Sequence, residues 1–224
     1  MDPNRKCWGL LRRRECLVPS GRGWLALLLV IVAVSTITVL EIHPFLAVTR
    51  PVPGGVLVVE GWVTDTVLEE VKAEFERHPY EKLYVTGGPL EWGAPLSEYK
   101  TAAQRGAAVL VKLGLSTNEV QAVPAPLVQQ DRTYTSAVTL RKWLREHSVQ
   151  PAQLHLISEG PHARRSWLLF EKAFGREVTI GVTAVPAEGY DPKRWWRSSL
   201  GVRGVIGEAL AYGYARFLFW PGKE

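Results

Sequence analysis

The densest set of chemically capable side chains lies in Ser158-Glu159-Gly160-Pro161-His162-Ala163-Arg164-Arg165. Gly160 permits a tight turn, and Pro161 suits the first position of a helix, where its missing N–H is not needed. Arg164 and Arg165 then fall in the first helical turn, where the positive end of the helix dipole repels cations. A bound anion reverses that penalty. Arginine holds phosphate oxygens bidentately, backbone N–H groups at the same helix end add donors, and His162 can transfer a proton near neutral pH. The competing account is a structural network in which Glu159 and Asp131 pair with the two arginines.

Three other segments offer groups of the same kind. Glu60-Gly61-Trp62, with Asp65 close behind, supplies a carboxylate able to orient a histidine or a water. Thr86-Gly87-Gly88 combines a hydroxyl with two glycines that allow backbone to approach a ligand, although adjacent glycines serve a plain turn equally well. In Asp131-Arg132-Thr133-Tyr134, Asp131 is placed to cap the following helix or to contact a ligand beside Thr133. The five histidines, His43, His78, His147, His155 and His162, show no HExxH pair or similar ligand spacing, so no metal is predicted.

The elements that must position these residues follow from hydrophobic patterning. An apolar run at Val56–Val59 predicts a strand buried on both faces. Asp65 then opens a helix to about His78, with Leu68, Val71 and Phe75 on one face. The alternation continues with strand 82–86, helix 97–113, strand 120–123, helix 133–147, strand 154–158, helix 162–174 and strand 178–182. Five strands separated by four helices predict an α/β fold, a mostly parallel, doubly wound sheet with right-handed crossovers. Ligands of such sheets bind beyond the carboxyl ends of the strands, where the four segments above lie. A last helix, 200–219, carries Val202, Val205, Ile206, Leu210, Phe217 and Leu218 with Glu208 among them. It is expected to close the core, with the bilayer surface near Trp195, Trp196, Phe219 and Trp220 as the alternative.

Gly23 to Leu40 is an uncharged run of 18 residues between Arg22 and Glu41. At about 1.5 Å per residue it approaches the roughly 30 Å hydrocarbon core of a bilayer, helped by interfacial Trp24 and a snorkelling Arg22. Ala33-Val34-Ser35 has the composition of a signal-peptidase site but lies inside the run, which favours an uncleaved anchor. Residues 1–22 hold six basic and two acidic groups, a net charge of +4, which leaves residues 23–224 at +1. That asymmetry puts the N-terminus in the cytoplasm and the domain outside. A nearly neutral domain also has little field for a polyanion, which excludes non-specific nucleic-acid binding. Both cysteines, Cys7 and Cys16, fall in the tail, so the domain has no thiol chemistry. The expected organisation is a basic tail 1–22, a transmembrane helix 23–42, a linker 43–54 and one α/β domain 55–224.

In Val58-Val59-Glu60-Gly61, Thr86-Gly87-Gly88 and His162-Ala163-Arg164-Arg165 the chain resembles the SanA/ElyC/YdcF envelope-protein family, over about Gly55 to Trp220. Family members commonly carry an Asn-Thr-x-Glu-Asn type segment before the third-loop helix. Here Arg132-Thr133-Tyr134-Thr135-Ser136-Ala137 keeps the Thr without the Asn or Glu, and the usual glycine-rich first loop reads Glu60-Gly61-Trp62. The resemblance is to a divergent branch. It implies a Rossmann-like fold, a bacterial cytoplasmic (inner) membrane anchor and a peptidoglycan-linked envelope role. The family's reaction is not settled, and one branch is reported to bind S-adenosylmethionine.

These readings converge on a membrane-anchored protein that binds a phosphate-bearing molecule such as a lipid-linked cell-wall precursor. If it is an enzyme, phosphoester or pyrophosphate hydrolysis is the implied class. Arg164 and Arg165 would hold the anion, Thr86, Gly87 and Gly88 would present backbone donors beside Thr133, and His162 would be general acid or base oriented by Asp131 or Glu60. A non-catalytic glycan- or protein-binding module is the second expectation. A nucleotide or S-adenosylmethionine binder is the third, and it requires an acidic residue at a ribose and a supply of cofactor outside the membrane. No cofactor is predicted.

Overall fold

The structure is a computed structural model describing residues 5–6, 11–12, 19–90 and 94–222. Cys7, Cys16 and most of the basic tail lie outside the described residues. The chain forms two compact units, Met1–Leu40 and Glu41–Glu224.

In the first unit, Arg5–Lys6 and Leu11–Arg12 pair as two short antiparallel strands. Helix α1, Gly21–Leu46, then begins and carries the apolar run. Between Trp24 and Leu40 its large apolar side chains are exposed, which water does not tolerate along a whole helix but lipid does. Among the described residues, α1 is the one helix long and apolar enough to cross a membrane. It is consistent with a single-pass topology.

The second unit is Rossmann-like. Its strands are β1 (Gly55–Glu60), β2 (Tyr80–Gly87), β3 (Val120–Pro124), β4 (Gln153–Glu159) and β5 (Thr179–Val185). They pair in parallel in the order β3-β2-β1-β4-β5. Between them lie α2 (Asp65–Arg77), α3 (Ala102–Lys112), α4 (Arg132–Glu146) and α5 (Ala163–Phe174), followed by α6 (Ser199–Phe217). Alternation along β1 sorts the core into two layers. Val56 and Val58 pack with Leu140, Leu144 and Phe170 of α4 and α5, whereas Leu57 and Val59 pack with Leu68 and Val71 of α2 and Leu110 of α3. This two-sided burial is why β1 reads as a continuous apolar run.

The start of α3 and the capping of α4 depart from expectation. Helix α3 opens at Ala102 rather than Ser97, because Thr101 forms a capping box with Gln104 that satisfies two end N–H groups reciprocally. Asp131 does stand at the N-cap of α4, but in a left-handed conformation (φ 55°, ψ 37°) and without a side-chain capping bond. Residues after the apolar run belong to the second unit. Helix α1 continues to Leu46, which is fully buried, and Arg50 exchanges backbone hydrogen bonds with Val182 of β5.

Candidate functional site

The strand order reverses direction between β1 and β4, so the crevice beyond their carboxyl ends is where a doubly wound sheet accepts ligands. Glu60 ends β1 and Ser158-Glu159 ends β4 at that point. Gly160, at φ 48°, turns the chain into a short 3-10 turn, Gly160–His162, that leads into α5. A side chain at Gly160 would meet Ala187 at 2.9 Å.

This geometry gathers one charged cluster. Glu60 is 2% exposed, and its Oε2 accepts hydrogen bonds from Ser158 Oγ (2.9 Å) and Ser166 Oγ (2.8 Å). Its Oε1 lies 3.5 Å from His162 Nε2. On the other side of the imidazole, Nδ1 is 2.9 Å from Glu208 Oε1 of α6. Arg165 grips that same carboxylate, Nε to Oε2 at 2.8 Å and Nη2 to Oε1 at 3.0 Å. Arg165 Nη2 also lies 2.9 Å from His162 Nδ1. Since Nδ1 holds either a proton or a lone pair, it serves one neighbour. The carboxylate only accepts, so Nδ1–H donates to Glu208. The indole of Trp62 stands edge-on to the imidazole with 4.8 Å between centroids.

Electrostatics follow from this packing. Burial pushes His162 down, but the Glu60 carboxylate and the hydrogen bond to Glu208 outweigh it and raise the imidazolium to about 9. Burial would raise Glu208, yet its bonds from His162 and Arg165 hold it down at about 2. Burial likewise opposes ionisation of Glu60, but the His162 charge and the bonds from Ser166 and Ser158 leave it lowered. The cluster is therefore two cations against two carboxylates, locally neutral, with His162 charged at neutral pH. Glu159 behaves differently. Burial raises its carboxyl, with a weak contact from the Thr64 N–H at 3.5 Å.

The remaining expected residues divide between those near this cluster and those set to other tasks. Arg164 turns away from Arg165: its Nε donates to the Phe45 carbonyl and its guanidinium lies 3.9 Å over the Phe45 ring. Consecutive helical residues diverge by about 100°, so the two arginines do not converge on one anion. Thr86 is fully buried, its Oγ1 3.4 Å from the Val59 carbonyl. The carbonyls of Thr86, Gly87 and Gly88 accept from Gly61, Ala125 and Ala102, tying this turn to its neighbours. A side chain at Gly61 would strike the Ala102 carbonyl oxygen, so both glycine segments admit the start of α3. Thr133 is buried near the start of α4, and the Asp131 charge acts on Arg165 after those of Glu208 and Glu60. Asp65 is exposed and paired with Arg105 at 2.5 Å.

Glu208, Ser166 and Trp62 are neighbours of this cluster that sequence reasoning does not assign. Glu208 carries a readable signal, since it is the lone acidic residue of α6.

Two surface depressions lie elsewhere. One, of about 530 Å³, is bounded by Trp167, Glu171, Arg176 and Thr179. The other, of about 260 Å³, is bounded by Glu74, His78, Tyr80 and Thr183, and behind Tyr80 and Thr183 lies the buried His155. There Tyr80 Oη lies 2.9 Å from Glu74 and 2.5 Å from His155 Nδ1, while His155 Nε2 lies 2.8 Å from Thr183 Oγ1. The Tyr80 hydroxyl donates to Glu74, so Nδ1–H donates to the phenol oxygen and Thr183 donates to Nε2. This chain of bonds satisfies a histidine that burial keeps toward neutrality. Among the described residues no group of three or more His, Cys, Asp or Glu side chains is placed to hold a metal ion. The protein matches no protein-family model, no curated protein and no solved structure.

Proposed function

We propose that this chain is a membrane-anchored cell-envelope protein, a divergent relative of the SanA/ElyC/YdcF family, with its α/β domain on the outer face of a bacterial cytoplasmic membrane. The domain binds and hydrolyses a phosphate-bearing ligand of the lipid-linked precursor type at the crevice between β1 and β4. One observation carries the reading: at the switch point the half-buried His162 lies between two carboxylates, Glu60 at 3.5 Å and Glu208 at 2.9 Å, whose charges hold its imidazolium above the ordinary range. Burying such a network costs several kcal/mol in desolvation, and groups with strongly perturbed ionisation cluster at functional sites. His162 acts as a general acid toward the leaving oxygen. Glu60 and Glu208 are positioning residues that hold its ring and its proton. Arg165 keeps Glu208 in place, so it reaches the ligand as field rather than as a clamp.

Turnover by the full chain in detergent micelles, with inorganic pyrophosphate and an isoprenyl pyrophosphate as substrates, tests this directly. Replacing His162 by Gln is expected to leave binding within a few-fold and to lower turnover by about 10²–10⁴. Phosphate release that His162→Gln leaves unchanged would remove the general acid from the proposal. The second reading, a non-catalytic module for glycan or protein, is favoured by a specific observation: both guanidinium groups are engaged within the protein. Absence of binding and turnover with every phosphate compound would put that reading first. Orientation has its own assay. An alkaline phosphatase reporter fused after Glu224 is expected to be active, and an inactive but intact fusion would place the domain in the cytoplasm.

A further inference from the structure

Helix α6 presents an unusual surface. Inward it offers Gly201, Val205 and Ala215, which are buried, and Glu208, which holds His162 and Arg165. Outward it exposes Ile206 (48%), Leu210 (72%) and Phe217 (71%), with Tyr214 between them and Leu218 and Trp220 beyond the helix end. Positions 206, 210, 214 and 217 follow the three-to-four residue spacing of a single helical face. A surface helix normally turns such a face to the core, and one that is apolar all round is either buried or in contact with lipid. The charges fit the second case. The exposed charged residues of α6, Arg203 and Arg216, are both basic, and Lys193, Arg194 and Arg197 precede it beside the half-exposed Trp196. Apolar residues flanked by arginine, tryptophan and tyrosine are the composition of a helix lying in the headgroup region.

Covalent connectivity supplies an independent argument. Phe45, in the last turn of α1, packs edge-on against Tyr212 of α6 at 5.6 Å, and Leu46 is buried with Trp195 and Val205. The apolar run ends at Leu40, five residues before Phe45. A chain reaches at most about 3.6 Å per residue, so Phe45, the residue on which Tyr212 packs, lies within about 18 Å of the end of that run. We infer that α6 is an interfacial helix that docks on the bilayer holding α1, with Ile206, Leu210 and Phe217 among the acyl chains and the flanking basic residues at anionic lipid phosphates. The inference rests on the reading of α1 as a membrane anchor. It places Glu208, and with it the His162 centre, on the other face of a lipid-bound helix, at the depth where the phosphate of a lipid-linked ligand sits.

The test uses the full chain in phosphatidylcholine and phosphatidylglycerol vesicles. Cys7 and Cys16 are replaced by Ser, and a nitroxide is attached at one of Val32→Cys, Leu210→Cys, Phe217→Cys or Glu119→Cys. Collision with oxygen reports lipid, and collision with a water-soluble nickel chelate reports solvent. The oxygen-to-nickel ratio at 210 and 217 is expected to be several-fold above that at 119 and to approach that at 32. A lipid signal at 32 with water-like ratios at 210 and 217 would overturn the docking while leaving the anchor intact. Protection from both agents at 210 and 217 would mean that protein covers the face, which also overturns it. A water-like ratio at 32 would remove the anchor and the inference together.

Discussion

Replacing Glu60 by Gln is expected to destabilise the domain by about 3–5 kcal/mol, the range for removing one member of a buried ion pair. The substitution preserves shape and still offers an oxygen to Ser158 and Ser166. Its loss is the charge facing His162 Nε2 at 3.5 Å, at a carboxylate only 2% exposed. The imidazolium then keeps only Glu208, which it shares with Arg165, so two cations compete for one carboxylate. Either His162 stays charged at an electrostatic cost, or it gives up its proton and its pKa falls. Equilibrium urea unfolding of the full chain in micelles measures the first effect, and histidine NMR titration measures the second. An unchanged unfolding midpoint together with an unchanged His162 titration would show that Glu60 is not ionised in the folded protein.

The same cluster sets a pH dependence. His162 is raised to about 9 from its ordinary 6.5, so the stability it contributes is complete below about pH 6.5 and is lost as pH rises through about 9. Over that interval the loss is on the order of 3 kcal/mol, taking about 1.4 kcal/mol for each tenfold change in proton affinity. Glu208, held at about 2 against an ordinary 4.5, works at the other end: its contribution is present above 4.5 and disappears as pH falls toward 2. Other groups titrate too. His155, kept toward neutrality by burial, lowers stability as pH falls below its ordinary value, and Glu159, raised by burial, opposes the acid loss from Glu208. The comparison that isolates His162 is therefore the difference between wild type and His162→Gln. Their unfolding free energies should converge as pH rises from 6.5 to 9, and parallel curves across that window would refute the assignment.

Much of the fold is legible because each strand announces itself. Val56–Val59 is apolar without alternation since α4 and α5 cover one face and α2 and α3 the other. Strand ends are less visible. Strand β5 runs on to Val185 because backbone pairing to β4 continues through Ala184 and Val185, and pairing has no hydrophobic signature. Helix α3 starts late because Thr101 and Gln104 close a reciprocal cap, whereas Asp131 at the matching place in α4 does not cap. The residue type permits a cap, and the backbone angle decides whether it forms.

The site divides in the same way. Local sequence determined that Glu60, Ser158 and His162 stand at strand ends and helix starts, since turn glycines and the Gly160-Pro161 pair are short-range signals. It also determined that Gly23 to Leu40 is an uncharged apolar helix and that the basic residues are concentrated before it. Tertiary structure alone decided the partners. Glu60 and Ser166 are separated by 106 positions and His162 and Glu208 by 46, and nothing local links them. Arg165 stands at a helix end that repels cations, and a charge that compensates it is Glu208, brought from α6 by the packing of that helix. Hydrophobic patterning is a property of neighbours along the chain, whereas a salt bridge needs two side chains within about 4 Å in space, and only the folded sheet sets that distance.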